Sequence, residues 1–212
     1  MLSQSRRLLR RAAGVAREAA RYRDLWREEP MFHVYLRRRL VRPYYRRQFH
    51  HFGEHVTLEK PLWLYGPKYI SIGDGSIILR DAWLAVERVA WSKPAPVLSI
   101  GRRFAARPFV TISAAASIVI EDNVGMASFS TIIDSDHTWS PHSTHVLDSG
   151  VTAAPIRIGE GTFIAERAAI LAGAEVGRQC FIGANTVVKG KVADHSIVLG
   201  VPGRVVGSTL PG

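Results

Sequence analysis

From Ile158 onward, large aliphatic residues recur at every sixth position: Ile158, Ile164, Ile170, Val176, Ile182 and Val188. A second column of small residues stands four places after each of the first five, at Thr162, Ala168, Ala174, Cys180 and Thr186. An α-helix, with about 3.6 residues per turn, would smear both columns around its circumference. A period of six instead suits flat faces joined by corners. The pattern predicts a β-solenoid in which each face stacks on its equivalent one coil away.

The same register runs upstream with interruptions. Ile72, Ile78 and Leu84 carry it with Ser76 and Ala82 between them; Ile100, Ala106 and Ile112 carry it with Phe104, Val110 and Ala116. After a two-residue slip, Ile120, Met126 and Ile132 resume with Val124 and Ser130. Glycine follows the aliphatic residue at Gly73, Gly101, Gly159, Gly177 and Gly183, where the coil must bend with no Cβ in the way. Two segments break the count: Glu87 to Leu98, with Pro94 and Pro96, and Ile133 to Arg157. Insertions in solenoids become surface loops, and such loops tend to carry function.

Three stretches resemble the hexapeptide-repeat acyltransferases: IEDNVGMASFSTIIDSDH (120–137), IRIGEGTFIAERAAILAGAEVGRQCFIGANTVVKG (156–190) and SIVLGVPGRVVG (196–207). Among these the sequence is most similar to the maltose, galactoside and glycan O-acetyltransferase branch. The resemblance covers residues 56–207 and implies a mainly β chain folded as a left-handed parallel β-helix. The handedness comes from the resemblance, since parallel crossovers are otherwise right-handed. It also implies a homotrimer with active sites between subunits, and an acyl-CoA donor, acetyl by default with longer chains left open. The expected organisation is a basic, largely helical extension at 1–55, the β-helix at 56–207 with a histidine-bearing loop at 133–157, and a short tail at 208–212.

Composition fits this organisation. A chain of 212 residues, 47% hydrophobic, can bury a core as one domain. No apolar run reaches the roughly 18 residues that span a membrane, and no secretory h-region follows the basic start. The expected location is the cytoplasm, with association at the inner membrane face left open. The lone Cys180, in the small column, reads as a buried structural thiol. Arginine outnumbers lysine 23 to 5, as in high-GC bacterial genomes.

Charge is concentrated at one end. Residues 1–50 hold 14 arginines, no lysine and 4 acids, whereas residues 51–212 hold 14 basic and 14 acidic side chains. The whole formal excess of +10 therefore lies in the first quarter. Leu8, Ala12, Val15, Ala19, Tyr22 and Trp26 form an apolar stripe at helical spacing, ended by Pro30. Two readings stay open: peripheral contact of residues 1–50 with an anionic membrane, or a helical cap on the solenoid's open end. No nucleic-acid-binding motif accompanies the charge.

The 133–157 insertion holds His137, His142 and His145. Acyl transfer from a thioester to a hydroxyl needs a base that takes the hydroxyl proton and returns it to the departing thiol. Histidine suits both steps. The resemblance puts the base at His137, which begins the loop in IIDSDH, with His142 and His145 as alternatives. Asp134 and Asp136 flank it; neighbours on a strand point opposite ways, so Asp134 is the better candidate to orient the imidazole. The resemblance further places backbone contacts to coenzyme A at Ala165 and Ala184, and cations for its nucleotide end at Lys189, near Lys191, and at Arg204. Phe163 stands where many relatives carry tryptophan. The small-sugar enzymes have an asparagine one coil before the histidine loop, and Ala106-Arg107-Pro108-Phe109 offers none. The resemblance implies a carbohydrate acceptor, which need not be a free mono- or disaccharide; a larger glycan or a glycolipid is equally consistent.

Two other classes compete with this one. A γ-carbonic-anhydrase-like metalloenzyme needs three zinc-binding histidines, and residues 56–136 contain none. No metal is expected. A non-catalytic scaffold remains the alternative; it would keep its function when His137 is replaced.

Overall fold

The structure, a computed structural model, describes residues 43–139, 145 and 149–211. The apolar stripe of residues 8–26 and His142 lie outside the described residues. The chain winds into a three-faced parallel β-helix. Face A has seven strands, from His51–Phe52 to Lys191–Val192; face C has six, from Trp63–Tyr65 to Val187–Val188. Face B has eight: seven parallel strands from Thr57–Leu58 to Ser196–Leu199, and the closing antiparallel strand Arg204–Ser208.

Each six-residue step of the sequence is one face, so residues eighteen apart pair. Ile158 lies beside Val176, Ile164 beside Ile182 and Ile170 beside Val188. Both sequence columns point inward and are buried throughout. The hydroxyls of the small column are satisfied internally. Thr162 Oγ1 donates to the Gly177 carbonyl at 2.9 Å and accepts the Cys180 N–H at 3.1 Å. The Cys180 thiol donates to the Ala193 carbonyl at 3.1 Å, and burial pushes its pKa up, so it stays protonated and structural.

Glycine at the first corner is a packing requirement. A methyl group on Gly159 would lie 2.5 Å from the carbonyl carbon of Gly177, and one on Gly177 would lie 2.5 Å from the Asp194 nitrogen. Adjacent coils approach too closely there for any side chain. At the N-terminal end, residues 43–46 are helical, and Tyr45, Phe49 and Phe52 cluster with ring centroids 5.1 to 6.0 Å apart over the first coil.

The A/B edge carries a ladder of carboxylates that accept backbone N–H groups from the neighbouring coil. Asp74 accepts from Glu54 at 2.7 Å, Asp122 from Arg102 at 2.7 Å and Asp194 from Arg178 at 2.8 Å. The Arg102 and Arg178 guanidiniums also pair with Asp122 and Asp194, at 2.7 and 3.1 Å. The backbone N–H bond and then the guanidinium hold both carboxyls below the usual range. With the folded pKa below the unfolded value, the unfolded chain binds more protons. Their contribution is present above the ordinary carboxylate pKa of about 4 and is lost as pH falls through the lowered values. The melting temperature is expected to drop as pH falls below about 4, and Asp122→Asn with Asp194→Asn should flatten that drop. An unchanged profile in this double variant would remove the ladder from the acid response.

Both interruptions of the repeat leave the prism at the same edge, between faces C and A. In the first, the Trp91 indole N–H donates to the Val86 carbonyl at 3.0 Å, the Tyr69 hydroxyl to the Trp91 carbonyl at 2.7 Å and the Lys93 ammonium to the Ala116 carbonyl at 3.0 Å.

Candidate active site

The second interruption begins where Thr131–Ile133, on face C, passes into Asp134. The chain then forms a small antiparallel hairpin, Ser135–His137 with Val151–Ala153, in which His137 pairs with Val151. The Thr138 N–H donates to the Gly150 carbonyl at 3.1 Å, and the Thr138 hydroxyl donates to the Ser149 carbonyl. His137 is exposed on this projecting arm. Asp136 is exposed beside it.

Asp134 does something different from what the sequence suggested. It is fully buried and makes no hydrogen bond to His137. One carboxylate oxygen accepts the Ala115 N–H at 2.6 Å; the other accepts those of Ala116 and Ser117, both at 2.8 Å. The expectation that it orients the imidazole is corrected on this geometry, because both oxygens are committed to the corner of the preceding coil. Burial pushes its carboxyl above the usual range, while the three N–H donors and the Lys93 charge pull it back. Its own carbonyl accepts the Ala154 N–H at 2.9 Å, so Asp134 ties the root of the hairpin to the solenoid.

The positions expected to meet coenzyme A lie elsewhere. Ala165 is buried; its N–H donates to Ile182 at 2.9 Å and its carbonyl accepts from Ala168 at 3.2 Å. Both of its backbone groups serve the coil, which corrects that expectation. Ala184 is exposed at the B/C edge, and its N–H has no protein partner among the described residues. Arg204 is exposed in the closing strand after the Pro202–Gly203 turn, whose Gly203 N–H donates to Val187 at 2.8 Å. Lys189 is exposed, whereas Lys191 lies on face A and pairs with Glu175 at 3.0 Å. Phe163 is half-exposed on face B, stacked on Phe181 at 5.9 Å and against Gly125.

One chain therefore does not bring these groups together. His137 leaves from the C/A edge, while Ala184 and the closing turn line the B/C edge two coils further on. A feature the sequence reading missed is a column along the B/C edge: Phe109 stacks on Phe129 at 5.0 Å, capped by the Arg80 and Arg167 guanidiniums at 5.5 and 5.6 Å. Both phenylalanines adopt left-handed φ values, 65° and 63°, a conformation that residue type alone does not signal.

Comparison with known proteins agrees with this fold. Residues 155–190 match the model of the bacterial transferase hexapeptide (six repeats). A protein named a probable acetyltransferase in Mycobacterium tuberculosis is 38% identical over 89 residues, 42% of this chain and 30% of that one. The galactoside O-acetyltransferase of Escherichia coli is 27% identical over 135 residues, 61% of this chain and 66% of that one. The chain thus spans less than two thirds of either relative. Among solved structures, a point mutant of AntD, an N-acyltransferase from Bacillus cereus, in complex with dTDP and coenzyme A, aligns with a TM-score of 0.67 at 18% identity, covering 79% of this chain and 88% of that one. This chain carries the bacterial transferase hexapeptide repeat and shares the left-handed parallel β-helix of the hexapeptide-repeat acyltransferases.

Proposed function

We propose that this protein transfers an acyl group from acyl-CoA to a hydroxyl of a sugar, glycan or glycolipid, with His137 as general base. The observation that carries the reading is His137 on an exposed hairpin rooted in a hexapeptide-repeat solenoid. Relatives named as acetyltransferases, one of them acting on galactosides, support it. The imidazole takes the acceptor proton as the oxygen attacks the thioester carbonyl, and gives it to the thiolate of coenzyme A as that group leaves. Ala184 offers a free N–H to the extended pantetheine arm, and Lys189 and Arg204 offer cations to the phosphates.

Because base and donor edge are separated within one chain, the site is completed by a neighbouring copy in a closed ring, a homotrimer. Light scattering should return three times the 23.5 kDa chain mass. A stable monomer at micromolar concentration would contradict the shared site. The function is tested by incubating purified protein with several acyl-CoAs and pooled bacterial glycans and reading products by mass spectrometry. An O-acylated sugar is expected. Folded protein that transfers no acyl group to any acceptor would leave the scaffold reading, and an N-acylated product would overturn the hydroxyl assignment.

A further inference from the structure

The first two coils carry a connected cluster of five aromatic side chains on face C and its C/A edge. Trp63 stacks on Trp83 at 5.3 Å and meets Tyr65 at 6.1 Å; Trp91 lies 5.2 Å from Tyr65 and stacks on Tyr69 at 5.9 Å. Its outer side is open, with Trp63 47% and Trp83 36% exposed, and neighbouring Leu62 and Val89 more so. Two cations rest on the rings. The Lys68 ammonium lies 5.0 Å from Tyr69 and 5.4 Å from Trp91, and the Arg88 guanidinium 6.0 Å from Trp91. Neither is in an ion pair among the described residues.

The form of the patch narrows its partner. Along face C the outward residues change from Trp63 and Trp83 to Thr111, Thr131, Ala169 and Val187, so the aromatic surface ends after two coils. A subunit-packing face would continue along the prism. The two indoles stack on each other, which covers one face of each. Tryptophan and tyrosine beside lysine and arginine are the side chains of the membrane–water interface, where amphipathic rings sit among headgroups and cations meet anionic lipid. The described chain begins at this same end, with residues 43–46 and the strand His51–Phe52, and the formal excess of +10 lies in sequence within residues 1–50.

We propose that this aromatic and basic surface seats the first two coils against an anionic lipid surface. The inference does not rest on acyl transfer. It does give the C/A edge a purpose, since Trp91 and the His137 hairpin leave the prism along that edge, and an acceptor carried on lipid would reach the histidine there.

The test is co-sedimentation of the full-length protein with phosphatidylcholine vesicles, with and without phosphatidylserine, at low and high salt, in the absence of any acyl donor. Binding is expected only with phosphatidylserine and should weaken with salt. Trp63→Ser with Trp83→Ser, and separately Lys68→Glu with Arg88→Glu, should each lower partitioning at least about tenfold with assembly mass unchanged. The second pair is exposed and keeps the test open if the tryptophan variant misfolds. Residues 1–50 are intact in both, so wild-type binding by both variants would assign lipid contact to that segment alone and overturn the proposal. A tryptophan variant that changes assembly mass yet keeps vesicle binding would assign the rings to a second copy, and would also overturn it.

Discussion

Replacing His137 by alanine or asparagine is expected to lower kcat by about two to four powers of ten, the usual worth of a positioned general base. Thermal melting and the Kd for the acyl-CoA should stay close to wild type. The reason is geometric: His137 is exposed on a hairpin and contributes no side-chain packing to the core. A kcat loss with unchanged donor binding is the mark of an interaction made in the transition state. Full activity in His137→Ala, with loss in His142→Ala or His145→Ala, would move the base within the insertion.

The largest stability effect is expected at Asp134. Truncation to alanine would leave the N–H groups of Ala115, Ala116 and Ser117 buried without their acceptor and remove the tie at the root of the hairpin. Orphaned buried donors cost about 1–3 kcal/mol each, and partial access of water limits the sum, so a loss of about 3–5 kcal/mol is expected. Asparagine should lose less, because one oxygen can still accept while its amide opposes the other donors. Urea denaturation measures both; a lower midpoint at constant slope is the expected form. A loss under about 1 kcal/mol in Asp134→Ala would mean the three N–H groups find other partners.

Why the sequence foretold the solenoid but misassigned Asp134 follows from what each depends on. Ile158, Ile164 and Ile170 must each point inward once per face, so burial itself writes a period of six into the chain. The partners of Asp134 are backbone N–H groups of the preceding coil, which leave no trace in residue type. Proximity in sequence therefore suggested the wrong partner, His137. Ala165 and Ala184 differ by one corner position. Ala165 stands level with Gly183, inside the turn, and Ala184 one place later, outside it. The spacing of Trp63 and Trp83, in register on face C, departs from the period seen after Ile158, which hid their stacking.

The central claim is that His137 of one subunit serves an acyl-CoA held on the B/C edge of its neighbour. It is tested by mixing two variants, His137→Ala and Ala184→Trp, each inactive alone, and letting their subunits exchange. In a ring with sites between neighbours, random mixing at equal amounts restores intact sites at about one interface in four. Transfer at about a quarter of the wild-type rate is the predicted result. Mixtures as inactive as their parents, with subunit exchange confirmed by mass, would contradict the account.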